Sequence, residues 1–101
     1  MDKHTFGSSK AAVNLTDMLG RDEYHEYQDR ATRILSRWFE YSSAILDIQN
    51  PSICRGTLNI WRGHFREWVG NGQFPEIIRR HIDNVMTAQY RRAKKRIDDR
   101  E

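Results

Sequence analysis

The most constraining feature of this sequence is a regular series of apolar residues in its first half. The series steps by three and four residues in alternation, through Tyr24, Tyr27, Ala31, Ile34, Trp38, Tyr41, Ile45 and Ile48. Three further apolar residues widen the same face: Leu35, Phe39 and Ala44. This period is that of an α-helix with one apolar side. It predicts a long first helix that begins near Asp22 and ends before Asn50, because a residue that precedes proline disfavours the helical backbone.

A second helix is predicted after Asn50. Asparagine is a good N-cap and Pro51 suits the first helical turn. The apolar residues again step by four and three, through Cys54, Leu58, Trp61, Phe65 and Trp68. We expect this helix to end near Val69, at the turn Gly70-Asn71-Gly72. A break is plausible at Gly56, because glycine weakens a helix by about 1 kcal/mol relative to alanine.

A third helix is predicted from Phe74-Pro75-Glu76 to about Ile97. One side of it is apolar, with Ile82, Met86, Tyr90, Ala93 and Ile97. The opposite side is polar and basic, with Arg80, Asn84, Thr87, Arg91, Lys94 and Lys95. The basic run near the end of the chain therefore forms a stripe along one helix face. No strand pattern is present, so the sequence predicts an all-α fold, a small three-helix bundle joined by short turns.

The chain is long enough for one domain of this kind and too short for two, since it has 101 residues. Residues 1–13 have no apolar period and predict a flexible N-terminal lead, followed by a single helical domain at 14–101. The stretch from Leu15 to Leu19 is typical of a turn or a short extra helix. The long first helix leaves the oligomeric state open between a monomer and a homodimer.

The charge of the chain is unevenly distributed. The formal net charge is +3, but residues 21–50 sum to −2 and residues 51–101 to +5. Thirteen of the seventeen basic residues are arginine, the side chain that binds carboxylates and phosphates through a planar fork. A single cysteine and the polar start of the chain favour a reducing, cytoplasmic location. No apolar run reaches the roughly 18 residues that span a membrane.

No pattern of catalytic or metal-binding residues is found. The histidines (His4, His25, His64 and His81) lack the spacing of a metal site, and the one cysteine, Cys54, cannot complete a zinc set. Nucleotide-binding and nucleophile motifs are missing as well. We therefore expect neither an enzyme nor a bound cofactor or metal, and we expect Cys54 to pack in the core.

Two sets of side chains are candidates for binding a partner. The first is basic or polar and comprises Arg62, Arg66, Arg80, Asn84, Thr87, Arg91, Arg92, Lys94 and Lys95. The second consists of the three tryptophans, Trp38, Trp61 and Trp68. Tryptophan in a bundle of this size belongs first to the core, but three are more than short helices easily bury. An exposed tryptophan would be a strong anchor for a partner protein.

Two functions remain open from the sequence. The favoured one is a small, non-catalytic regulatory protein that docks through an arginine-rich helical surface on a partner protein or protein–nucleic acid complex. Phages and mobile elements often encode small inhibitors and adaptors of this kind. The alternative is direct binding of DNA or RNA by the basic third helix, through cations set beside phosphates. The acidic residues Asp98, Asp99 and Glu101 weaken the alternative, because they partly neutralise that end of the chain.

Overall fold

Three α-helices form the structure. The computed structural model describes residues 21–100, with side chains from His25 onward. The first helix, α1, spans Arg21–Ile45; α2 spans Pro51–Asn71; and α3 spans Glu76–Asp98. Each helix packs against both of the others. The chain runs up, down and up, so that α1 and α3 are parallel and α2 is antiparallel to both.

The predicted all-α fold and three-helix bundle are confirmed, and the described residues contain no strand. The predicted break at Gly56 is wrong, because α2 continues through it without interruption. The first helix is also shorter than predicted and ends at Ile45. The N-terminal lead and the segment Leu15 to Leu19 lie outside the described residues.

The turn between α1 and α2 explains the early end of α1. The amides of Leu46 and Ile48 donate to carbonyls three residues earlier, at 3.2 and 3.0 Å. These three-residue bonds make tighter turns than the four-residue bonds of an α-helix, so the α-helix ends here. Asn50 then caps α2 as predicted, since its side-chain oxygen accepts a hydrogen bond from the Ile53 amide at 3.0 Å. Arg100, beyond the end of α3, donates to the carbonyl of Ile48 at 2.8 Å and to that of Leu46. The C-terminal end of α3 thus holds this turn in place.

The turn between α2 and α3 is held from α1. The amide of Gly72 donates to the Trp68 carbonyl at 3.1 Å and closes the last turn of α2. The residue that takes the left-handed backbone is Gln73, with a φ of 53°, although a glycine stands beside it. Arg30 of α1 donates to the Gly72 carbonyl, and its guanidinium lies 4.9 Å from the ring centroid of Phe74. One arginine therefore fixes both the backbone and the aromatic ring of this turn.

The core is built from one apolar face of each helix. Its buried residues are Ala31, Ile34, Leu35, Trp38 and Ile45 of α1, Cys54, Leu58, Phe65 and Val69 of α2, Phe74 of the turn, and Ile78, Ile82, Met86, Ala93 and Ile97 of α3. Trp38 lies at its centre with no exposed surface. Its indole N–H donates to the carbonyl of Met86 at 3.2 Å, and its ring centroid is 5.2 Å from that of Phe65. Cys54 is buried as predicted, and its thiol donates to the Ile45 carbonyl at 3.2 Å.

We expect Trp38→Phe to lower the free energy of unfolding by about 1–3 kcal/mol, because it removes a buried hydrogen bond and leaves a small cavity. Urea unfolding followed by circular dichroism measures the change. The same substitution at Trp68, which is 40% exposed, should cost less. Equal losses at the two positions would contradict the central place of Trp38.

We expect Gly63→Ala to raise the free energy of unfolding by about 0.5–1 kcal/mol, because alanine favours the helix interior. An added Cβ at Gly63 meets no atom within 4 Å. The opposite result is expected for Gly72→Ala, whose Cβ would lie 2.5 Å from the ring of Phe74. Thermal unfolding of the two variants beside the wild type tests both signs.

Candidate interaction surfaces

The predicted polar stripe lies on the outer side of α3. Arg80, Asn84, Arg91 and Lys95 are exposed, and Thr87 and Lys94 are half-buried. Arg92 is also exposed, toward one side of the stripe, and its guanidinium donates to the side-chain oxygen of Gln89 at 3.2 Å. The apolar side of α3 faces the core as predicted. We call the outer set Arg80, Asn84, Thr87, Arg91, Lys94 and Lys95 the basic face.

Most cations of the basic face are already paired with a carboxylate. The three pairs, each four residues apart, are Arg80–Glu76 at 3.1 Å, Lys94–Asp98 at 3.3 Å and Lys95–Asp99 at 3.4 Å. The hydrogen bonds from Arg79 and Arg80 hold the pKa of Glu76 below its ordinary value, and Lys94 and then Arg55 do the same for Asp98. Among the described residues, Arg91 is the one cation of this face that has no such partner.

A shallow groove lined with aromatic rings runs between α1 and α2. Its walls are Arg37 and Tyr41 of α1 and Trp61, His64, Phe65 and Trp68 of α2; we call it the aromatic groove. The rings form a continuous series of contacts. The centroids of Tyr41 and Trp61 are 5.0 Å apart, those of Trp61 and His64 are 5.0 Å apart, and those of Phe65 and Trp68 are 5.7 Å apart. Phe65 is buried beneath the others and joins the groove to Trp38.

The three tryptophans therefore have different places. Trp38 is core and is not available as a surface anchor, because its position at the centre of the α1 apolar face puts it between the other two helices. Trp61 and Trp68 are 37% and 40% exposed on one side of α2. The apolar face of α2 is wide, and α1 and α3 together cover only part of it. Val69, next to Trp68 in the sequence, is the residue that is buried in the core at this level. The predicted seam of α2 thus divides into a buried row and an exposed row.

The sequence did not indicate Arg37 or Tyr41 as surface residues. Tyr41 belongs to the regular apolar series of α1, yet it is 36% exposed because it lies at the edge of that face, beside α2. Arg37 precedes Trp38 by one residue and therefore points about 100° away from the core centre, toward the groove. Which edge of α1 forms a wall of the groove depends on the side of α1 against which α2 packs, and the sequence of α1 does not specify that side.

A second groove lies on the other side of α2, against α3. It is lined by Arg62 and Arg66 of α2 and by Asp83, Met86 and Thr87 of α3; we call it the arginine groove. Three of the predicted contact residues, Arg62, Arg66 and Thr87, are brought together here. The structure therefore separates the aromatic candidates from the α2 arginines, which lie on opposite sides of one helix.

Two properties of the described part of the chain bear on metal binding and on membrane insertion. Within residues 25–100, no group of three or more histidine, cysteine or acidic side chains is arranged to hold a metal ion. Burial lowers the pKa of His81, which stands apart from both grooves. Among the helices of residues 21–100, none has the length and apolar character needed to cross a membrane.

Comparisons with known proteins give no match for this chain, whether with protein-family models, with curated sequences or with solved structures.

Proposed function

We propose that this protein is a small, non-catalytic regulatory protein that docks on a partner protein through the aromatic groove. It acts by covering a surface of that partner, as an inhibitor or an adaptor does. Trp61 and Trp68 are the anchors, Tyr41 extends the apolar contact, and Arg37 contributes a cation at the edge.

The observation that carries this proposal is the concentration of exposed apolar side chains on one side of the bundle. Seven large apolar residues are exposed among those described, and five of them lie along α2 or across the groove from it: Tyr41, Ile53, Ile60, Trp61 and Trp68. Ile53 and Ile60 are the most exposed, at 60% and 61%. Ring contacts through Phe65 join Tyr41, Trp61 and Trp68 into one patch. A contiguous apolar patch is typical of a protein-binding surface, whereas scattered exposed apolar residues are ordinary.

The residue types of the groove also favour a protein partner. Tryptophan, tyrosine and arginine supply a large share of the binding energy in protein interfaces. Tryptophan and tyrosine do so because they bury much area and lose little conformational entropy. The ring contacts hold Tyr41, Trp61 and Trp68 in place before binding. The groove is open and shallow, which suits a side chain or helix of a partner better than a small substrate.

The alternative function, direct binding of DNA or RNA along the basic face of α3, has less support from that face itself. Three of its cations are engaged by carboxylates one helical turn away. Exposed pairs of this type are weak, contributing about 0–1 kcal/mol, so they reduce rather than abolish an attraction for phosphate. Arg91 is the cation of the face most readily available to a ligand.

We expect the double substitution Trp61→Ala, Trp68→Ala to weaken binding to the physiological partner by about 30-fold or more, since the loss of one anchor of this type costs about 2 kcal/mol or more and about 1.4 kcal/mol is tenfold. The partner is first identified by quantitative mass spectrometry of proteins retained on immobilised wild-type protein. Its affinity for each variant is then measured by calorimetry, and salt should change this affinity less than the double substitution does.

Phe39→Ala is the matched control. Phe39 is an aromatic residue of α1 that is 37% exposed, as Trp61 is, but it does not line the aromatic groove. A partner that binds the Phe39 variant and the wild type equally, and the double variant poorly, supports the proposal. A partner whose affinity is unchanged by loss of both tryptophans places docking on another surface.

A further inference from the structure

The arginine groove has two cations for which the described chain supplies no counter-charge. Arg62 and Arg66 are four residues apart, so both project from the same side of α2 toward α3. Neither forms an ion pair with a described carboxylate. Uncompensated arginines in a concave site attract anions, because the planar guanidinium presents two parallel N–H donors to a carboxylate or phosphate group.

Arg62 is held in position by an aromatic ring. Its guanidinium carbon lies 4.2 Å from the centroid of the Tyr90 ring, a cation–π contact. The Tyr90 hydroxyl donates in turn to the side-chain oxygen of Asn59 at 2.5 Å, so the ring is fixed between α2 and α3. Stacking fixes the plane of the guanidinium while its N–H groups remain available. A ligand therefore meets a donor that has already lost much of its conformational freedom.

The acidic residues nearby are occupied elsewhere. Arg55 pairs with Asp98 across the two helices at 3.2 Å, about two helical turns before Arg62. Asp83, which lines the groove, pairs with Arg79 at 2.9 Å. The lining of the groove, two arginines against one aspartate that is paired elsewhere, is therefore net positive.

We propose that the arginine groove binds a phosphate of a nucleic-acid backbone, with Arg62 and Arg66 donating to its non-bridging oxygens and the Thr87 hydroxyl as a third donor. The site is independent of the aromatic groove and of the partner protein proposed above. The first phosphate contact then lies between α2 and α3, at two of the basic candidates from the sequence, Arg62 and Arg66, rather than along the basic third helix.

The surroundings of the groove fit a polyanion better than a single anion. Arg91 lies one helical turn beyond Thr87 on the outside of α3, and Lys95 one turn further. The distance along α3 from Thr87 to Lys95 is about 12 Å, at about 1.5 Å per residue. Successive phosphates of one strand lie well within that span. A strand that enters the groove therefore continues past Arg91, which has no described counter-ion, and past Lys95, whose exposed pair with Asp99 is a weak one.

The test is fluorescence anisotropy of labelled duplex DNA, single-stranded DNA and RNA, repeated across a salt series from about 50 to 200 mM. For the wild type we expect affinity to fall steeply as salt rises. For Arg62→Gln, Arg66→Gln we expect the log–log salt slope on duplex DNA to decrease by about 1, since the two arginines share one phosphate and each neutralised phosphate contributes about 0.9 to the slope. Arg66→Gln alone should also decrease the slope, by no more than the double substitution does, and it leaves the Tyr90 contact intact.

Arg33→Gln is the matched control for Arg66→Gln. Arg33 is exposed as Arg66 is, but it projects from α1, so the two variants have the same net charge. Retention of the wild-type slope by the α1 variant, with loss in the α2 variant, supports the site. Equal losses in both variants would mean attraction by net charge alone and would overturn it.

Two further outcomes would also overturn the proposal. One is the absence of any oligonucleotide binding at about 50 mM salt, where backbone contacts are strongest. The other is a groove that takes only a small ion. In that case inorganic phosphate, added at constant ionic strength, shifts the Thr87 amide resonance in the NMR spectrum while no oligonucleotide does. Loss of partner-protein binding in the tryptophan variants has no bearing on either result.

Discussion

Trp38 fixes the relation of all three helices, because its side chain contacts α2 and α3 at the same time. Its ring packs against Phe65, and its N–H donates to a backbone carbonyl of α3 that belongs to Met86. A hydrogen bond to a carbonyl has a direction, whereas apolar packing alone tolerates small rotations of a helix. The contact therefore fixes the position of α3 along α1 and the rotation of α3 about its own axis. The side chains that α3 presents outward follow from that one interaction.

The order and approximate bounds of the helices could be predicted from the sequence, because apolar spacing and proline positions act locally. The cap at Asn50 and the buried Cys54 are examples. Local spacing could not predict which aromatic residues are buried and which are exposed. Trp38 and Trp61 both lie on regular apolar spacings, but one is enclosed and the other is 37% exposed. The difference depends on how far around each helix its neighbours reach, which is a property of the packed bundle.

The arginine groove also depends on packing that local sequence patterns could not predict. The sequence placed Arg62 and Arg66 among the basic candidates, but it could not reveal that Tyr90 would lie beneath one of them. Nor could it reveal that Asp83 and Asp98 would be engaged by Arg79 and Arg55. Net charge is additive along a chain, whereas local potential depends on which charges are paired. The cations available for binding a ligand are those that have no carboxylate partner once the internal ion pairs are known.

The contact between Arg100 and the turn at Leu46 and Ile48 affects the order in which parts of the chain fold during synthesis. During synthesis, the chain emerges from its N-terminus, and the α1–α2 hairpin is available well before residue 100. Until then, the carbonyls of Leu46 and Ile48 lack the Arg100 donor, and the Trp38 indole lacks its Met86 acceptor. The nascent hairpin consequently carries an open apolar side, which α3 covers only after it has left the ribosome.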